Sequence, residues 1–174
     1  AQPAAAMTPP ITAPAVGQRL TPAPANPAAA RGELFHACLE RHAPPGAPRD
    51  LSALAMRLGV PTDLQAIEAE ARALLALPHL ARFFDPAQYR RAHSELALLD
   101  ADGRVHRLDR VVEFDETVWL IDYKTGDDNR ALADAQLAER HRPQLEGYRS
   151  LLAALYPGKP VHAALVLADG RLIA

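Results

Sequence analysis

The spacing of apolar side chains changes along the chain, and this change constrains the fold more than any other feature. Up to about residue 85, apolar residues recur at the spacing of an amphipathic helix. Residues 89–99, 104–114 and 117–124 instead follow the period of two that is typical of strands, with short polar turns between them. Strands joined by such short turns run in opposite directions, so the sequence predicts a three-stranded antiparallel meander.

Helices are predicted on both sides of this meander. A fourth strand at 161–168 and a turn at Asp169-Gly170 into a possible fifth strand follow it. The fold class is therefore α/β, a central mixed sheet of four or five strands flanked by helices. The predicted helices cover about 31–42, 50–58, 62–76, 131–140 and 142–156, with a short helical turn at 79–84.

The two turns of the meander fix the register of its strands. Residues 100–103 read Asp-Ala-Asp-Gly, and Gly103 fits the left-handed position of a three-residue loop that pairs Asp100 with Arg104. The second turn is centred on residues 115–116, and a loop of two or four residues there gives one and the same register. An error of one residue in either loop would move every side chain of a strand to the other face.

This register predicts a row of three carboxylates on one face of the sheet. Glu95 lies opposite Asp109, Asp109 lies opposite Asp122, and Lys124 follows two residues later on the same strand. Three carboxylates so close together repel one another unless a cation lies among them. Carboxylates bind Mg²⁺ or Mn²⁺, and a lysine can orient or help to deprotonate a water, so the pattern suits metal-dependent hydrolysis of phosphodiesters.

A simpler interpretation of Asp122 and Lys124 is an ordinary salt bridge on an exposed strand. The apolar run at 118–121 favours a mostly buried strand instead, where unpaired charge is costly. All but two of the 19 basic residues are Arg, so a Lys here indicates a role that needs a titratable ammonium group. Six arginines could form either a phosphate-binding rim or a solvated surface, namely Arg104, Arg107, Arg110, Arg140, Arg142 and Arg149.

Composition narrows the classes of function. A formal net charge of −2 argues against a protein that finds nucleic acid through its overall field. The single cysteine, Cys38, excludes an internal disulfide, a cysteine-rich zinc site and a cysteine-ligated iron–sulfur cluster. No stretch approaches the roughly 18 apolar residues of a membrane span, and no secretory signal is visible. Residues 1–30 are mostly Ala and Pro and are predicted to be a flexible linker, which leaves residues 31–174 as the folded domain.

Five sequence elements follow one another in an order that resembles RecB-like nucleases of the PD-(D/E)xK superfamily. These elements are Gly32-x-x-x-His36, Glu95, Leu108-Asp109, Asp122-Tyr123-Lys124-Thr125 and Gln144-x-x-x-Tyr148. The family includes lambda exonuclease and the C-terminal nuclease domains of RecB and AddA helicase–nucleases. The resemblance covers roughly residues 31–174, and it is nearest to the nuclease domain of an AddA-type, UvrD-like helicase.

The resemblance implies a restriction-endonuclease-like core and a role for each matching residue. The implied activity is that of a Mg²⁺- or Mn²⁺-dependent deoxyribonuclease, an exonuclease rather than an endonuclease. Its expected setting is cytoplasmic double-strand-break repair, where a helicase in the same polypeptide delivers single strands, with an AddB- or RecC-like partner subunit. The implied metal ligands are His36, Asp109, Asp122 and the Tyr123 carbonyl, with Lys124 catalytic, Glu95 supporting the metal or its waters, and Gln144 and Tyr148 contacting DNA.

Two alternatives remain open at this stage. The chain could be a catalytically silent nuclease-like module that binds DNA or a partner within a repair helicase. It could also be a restriction- or junction-type endonuclease of the same superfamily. In one respect the sequence departs from the family pattern, because His106 stands where a Gly often precedes the first Asp by three residues. A side chain at this position could crowd the approach of DNA to the strand.

Overall fold

A computed structural model describes residues 26–174, apart from the side chain of Asp127. The first helix begins at Pro27, one turn earlier than predicted, and the Asn26 side chain accepts a hydrogen bond from Ala28 N at 3.1 Å. Residues 27–30, which were predicted to be linker, therefore belong to this helix. Ala30 is already buried. The rest of the predicted linker, residues 1–25, lies outside the described part of the chain.

Helices cover both faces of a five-stranded sheet. The strand order is β1-β2-β3-β4-β5; β1, β2 and β3 are antiparallel, β3 and β4 are parallel, and β4 and β5 are antiparallel. This mixed sheet confirms the predicted fold class. The elements are α1 (Pro27–His42), α2 (Leu51–Leu58), α3 (Leu64–Leu75), α4 (Ala81–Phe84), β1 (Arg91–Leu99), β2 (Val105–Glu113), β3 (Val118–Lys124), α5 (Asp127–Arg130), α6 (Asp134–Leu155), β4 (Val161–Leu167) and β5 (Leu172–Ile173).

The two predicted helices at 131–140 and 142–156 are one continuous helix, α6, which contains Pro143 in its interior. A proline there removes one backbone hydrogen bond and favours a break. Buried contacts on both sides of the proline hold the helix together, because Leu137 and Leu152 are fully buried against the sheet. Among the residues that the structure describes, no helix combines the length and the apolar character needed to cross a membrane.

The predicted strand registers are confirmed. In the first hairpin Leu99 pairs with Val105 and Arg91 with Glu113, and Gly103 adopts the left-handed conformation with φ of 77°. In the second hairpin Phe114 N donates to Thr117 O at 2.8 Å, so the loop has two residues. The β2–β3 ladder then runs to the Arg110–Ile121 pair, where it ends.

The regular alternation of faces that the sequence analysis assumed is broken in the middle of β1 and β2. Arg110 and Val112 of β2 lie on the side of α1–α4, whereas Leu108 packs on the α6 side together with Val111. The strand β1 changes sides at the matching position, where Glu95 has φ of 52°. Side chains beyond this point therefore lie on the opposite face of the sheet from the one that regular alternation would give them.

Arg110 ties the sheet to the helical layer. It is fully buried, and its guanidinium donates to Phe83 O at 2.9 Å, to Pro44 O at 2.8 Å and to Ser94 Oγ at 3.3 Å. The group also lies 5.0 Å from the centre of the Phe84 ring. Arg110 is thus a structural residue, and the option that it belongs to a phosphate-binding rim is wrong.

We expect Arg110→Ala to lower the free energy of unfolding by about 3 kcal/mol, because it leaves a cavity and removes the guanidinium donors to Phe83 O and Pro44 O. Arg110→Lys should also destabilise, since one ammonium cannot replace a planar guanidinium with several donors. Urea unfolding measures both effects, with Arg90→Ala as the control because the Arg90 side chain is 63% exposed. A loss no larger than that of the control would show that Arg110 does not hold the layers together.

Candidate metal centre and active site

The helix α1 brings His36 to the end of β3. Gly32, one turn before His36, faces Thr125 just after the strand, and a Cβ at this glycine would lie 2.7 Å from Thr125 Oγ1. Such a distance is too short for any real side chain, so the absence of a side chain at Gly32 allows the close approach of helix and strand. The His36 ring then meets the Tyr123 ring edge-on, with 5.8 Å between the ring centres.

Three side chains from three elements converge at this point. Ligand atoms of His36, Glu95 and Asp109 all lie within 4.8 Å of one another, which is compatible with a shared metal ion. His36 Nδ1 lies 3.7 Å from Asp109 Oδ1, longer than a hydrogen bond. The change of faces in β1 and β2 directs Glu95 and Asp109 to the α1 side, where His36 is located.

Asp109 is held by the backbone of the neighbouring strand. Its Oδ2 accepts a hydrogen bond of 2.7 Å from Tyr123 N, just beyond the last β2–β3 pair. The carboxylate thus replaces a backbone acceptor where the two strands separate. In a strand the N–H and C=O of one residue point to the same side, so the Tyr123 carbonyl also faces this gap.

Asp122 and Lys124 lie on the other side of β3. Tyr123 between them packs toward α1, and Lys124 Nζ donates to Gln144 Oε1 of α6 at 3.1 Å. The prediction that Asp122 shares a face with Glu95 and Asp109 is therefore wrong, and Asp122 is not part of the group of three ligand atoms. The predicted register is right, but the break in alternation turns two of the three carboxylates to the opposite face.

The Asp122–Lys124 pair is buried and close. Asp122 is only 4% exposed, and its Oδ2 lies 2.7 Å from Lys124 Nζ. The angles of this contact are poor for a hydrogen bond, so Asp122 Oδ2 has no hydrogen-bond donor among the described residues. The simpler interpretation of a salt bridge is correct in geometry, but the pair is inside the protein rather than on an exposed strand.

A chain of hydrogen bonds continues from Lys124 into α6. Gln144 accepts from Lys124 and donates through Nε2 to the Tyr148 hydroxyl at 3.1 Å. The Tyr148 ring meets the His106 ring edge-on at 5.9 Å, and His106 Nε2 lies 2.8 Å from Asp100 Oδ2. His106 is thus held against α6 and the hairpin turn, on the face opposite to His36.

Burial and like charge disturb the titration of these groups. Burial and the neighbouring Asp109 raise the pKa of Asp122 above its usual range, although Lys124 opposes this. Burial, Asp109 and Glu40 raise the pKa of Glu95. Burial alone would lower the pKa of His36, but the charges of Asp109, Asp122 and Glu95 raise it. Asp122, Glu95 and His36 therefore hold their protons more strongly than usual. A divalent cation would supply the positive charge that these protons provide.

His141 is a neighbour of this network that the sequence analysis missed. Its Nε2 is buried without a hydrogen-bond partner among the described residues. Burial and the charge of nearby Lys124 lower the pKa of His141, which keeps the ring neutral. The sequence held one signal for it, since His141 precedes Gln144 by three residues and so lies on the same face of the helix.

One of the comparisons with known proteins finds a match. Residues 15–173 match a family model described as the PD-(D/E)XK nuclease superfamily. The match leaves out only the first 14 residues and the last residue of the chain. A search of curated proteins finds no match.

The backbone at Glu95 predicts a stability difference between two variants. Glu95 is the one non-glycine residue with positive φ among those described, and this conformation costs about 1–2 kcal/mol for a residue with a Cβ. We expect Glu95→Gly to unfold with a free energy about 1 kcal/mol higher than Glu95→Gln, because both remove the charge but only glycine removes the strain. Urea unfolding of the two variants tests this, and equal stability would show that the conformation is unstrained.

The raised pKa of His36 predicts that metal affinity depends on pH. A protonated His36 must lose its proton to bind a metal, so affinity for Mn²⁺ should fall as pH decreases through the raised His36 pKa, by up to about tenfold per pH unit. Titration calorimetry between pH 6 and 8 measures this slope. His36→Asn should flatten this pH dependence. His162→Asn should not, because His162 pairs with Trp119 near the start of β3, away from the site. Identical slopes in the wild type and His36→Asn would exclude His36 as a ligand.

Proposed function

The chain belongs to the PD-(D/E)XK nuclease superfamily, and from this membership we propose that it is a Mg²⁺- or Mn²⁺-dependent deoxyribonuclease. The observation that carries the proposal is the convergence of His36, Glu95 and Asp109 beside the buried Asp122–Lys124 pair. The superfamily match concerns nucleases as a class, and the geometry supplies the residues that would perform the reaction.

The donor set fits a hard divalent cation. Carboxylate oxygens of Asp109 and Glu95, the His36 imidazole and the Tyr123 carbonyl would hold it, with Asp122 adjacent. Such a cation, when bound, polarises the phosphate and lowers the pKa of a bound water. The raised pKa values of Glu95 and Asp122 support this assignment, because groups that resist losing a proton in the free protein would lose it readily next to a cation.

Lys124 would orient the attacking water. Its ammonium donates one hydrogen bond to Gln144 and lies in ion-pair contact with Asp122, so it keeps donors for a water. Gln144 and Tyr148 would then act on the DNA backbone through the same chain of hydrogen bonds. A buried lysine positioned by two partners is suited to this task, since its proton can be donated or withdrawn more easily than that of an arginine.

The proposed biological setting is double-strand-break repair. The order of the motifs resembles the nuclease domain of an AddA- or RecB-type helicase, which would deliver single strands to the site, with an AddB- or RecC-like subunit as partner. Exonuclease action in the cytoplasm belongs to the same proposal. The formal net charge of −2 is in accord with it, because a nuclease supplied with DNA by a helicase does not need a strongly basic surface.

A catalytically silent module is the less favoured alternative. In such a module the two aspartates would be neutralised by arginines, and no metal would be needed. Among the described residues, Asp109 and Asp122 contact His36, the Tyr123 N–H and Lys124, and neither is paired with an arginine. A restriction- or junction-type endonuclease would be recognised by cleavage of circular DNA.

We expect the wild type to degrade end-labelled linear single-stranded DNA with Mg²⁺ and to leave circular DNA intact. Lys124→Ala and Asp122→Asn should each lower kcat by about 10²-fold or more, because each removes a group that acts on the reacting atoms. Lys159→Ala is the matched control, since Lys159 is the other lysine of the chain and pairs with Glu113 at 2.8 Å, at the far end of the sheet. Circular dichroism verifies that each variant is folded.

Equal cleavage by the wild type, Lys124→Ala and Asp122→Asn would refute the active-site assignment. Metal binding without cleavage of any DNA by the wild type would instead favour the silent module. Cleavage of circular DNA would support nuclease activity but refute the exonuclease mode.

A further inference from the structure

A cleft beside the metal centre is lined in part by residues that the proposed function does not use. It has a volume of about 620 Å³ and is open to solvent. His36 and Glu95 form the part that borders the metal centre. Arg49, from the segment between α1 and α2, and Arg107, from β2, are the arginines that line it.

Arg107 is exposed and little used by the fold. Its side chain is 70% exposed, and its nearest charged partner is Glu95, with 3.9 Å between Arg107 Nη1 and Glu95 Oε2. This distance is too long for a hydrogen bond, and the Arg107 guanidinium has none with the described residues. All of its donors are thus available to a ligand.

The other arginines considered in the sequence analysis differ from Arg107. Arg110 is buried, Arg149 donates to Val161 O, and Arg142 is paired with Glu139. None of these three lines the cleft, and neither do Arg104 and Arg140. Arg107 is therefore the candidate whose position and free donors both suit an external anion.

Arg49 lies on the same cleft and is oriented by a carboxylate. Its Nε forms an ion pair with Glu40, which also lines the cleft. The positive charge of Arg49 acts on Glu95, where it opposes the rise in pKa caused by burial. Both arginines therefore direct positive charge toward the acidic metal centre from the cleft.

We propose that Arg107, assisted by Arg49, binds the DNA phosphate that neighbours the scissile phosphodiester. This inference rests on the proposed function and identifies the subsite that holds the substrate. An acidic centre repels DNA, and a net charge of −2 offers no general attraction, so local cations have to hold the strand. Arg107 precedes Asp109 by two residues, a separation of about 6.6 Å along a strand, comparable to that of neighbouring phosphates.

The test measures binding without turnover, on the full chain. Fluorescence anisotropy with labelled oligothymidine in the presence of Ca²⁺ gives the dissociation constant at a series of salt concentrations from about 25 to about 200 mM. A gel verifies that the DNA stays intact. Arg107→Gln should reduce the slope of log affinity against log salt by about 0.7, the value for one lost phosphate contact to a single strand. Arg107→Lys should keep the slope, because it keeps the charge.

Arg90→Gln is the control variant. Its side chain is 63% exposed and lies 3.8 Å from Asp115, so it matches Arg107 in exposure and in ion-pair distance, but at the opposite end of the sheet. A slope for Arg107→Gln that equals those of the wild type and Arg90→Gln would overturn the inference, even if the chain cleaves DNA. A reduced slope without cleavage by the wild type would support the subsite and refute only the nuclease.

Discussion

The hydrogen bond from Tyr123 N to Asp109 Oδ2 is the contact on which the site depends. It spans 2.7 Å just beyond the end of the β2–β3 ladder, so the carboxylate takes over an acceptor role that the backbone of β2 would otherwise have. One oxygen of Asp109 is thereby fixed, and the other faces His36. The strands can separate here without leaving a buried donor unsatisfied, which would cost about 1–3 kcal/mol.

Local rules were enough to predict much of the framework. Loop lengths and Gly103 predicted the registers of both hairpins, and the motif Gly32-x-x-x-His36 indicated the histidine that α1 brings close to Thr125. The face of Asp122 could not be derived in this way, because the argument assumed that alternation continues through Glu95. Apolar residues at 108, 111 and 112 do depart from a period of two, and this departure was the available signal.

Tertiary packing explains the other differences. Pro143 weakens the helix locally, but the buried Leu137 and Leu152 outweigh it, and propensity alone does not include that contribution. Arg110 is surrounded by backbone carbonyls from distant segments, and nothing near it in the sequence indicates them. In the same way, no sequence pattern separates Arg107 from the other arginines, since its ability to bind an anion depends on the donors that the fold leaves free.

The central strand β3 separates the site into two parts with different chemistry. On the α1 side, Glu95 and Asp109 place two carboxylates beside His36, and burial together with Asp109 raises the pKa of Glu95. A divalent cation bound there would relieve the repulsion between the two carboxylates. On the α6 side, Lys124 lies between Asp122 and Gln144, and Asp122 in turn feels the charge of Asp109. Tyr123 lies between the two parts, with its N–H on Asp109 and its ring against His36. Binding of the cation and orientation of the water can therefore be set by different helices, while one short strand keeps the two in register.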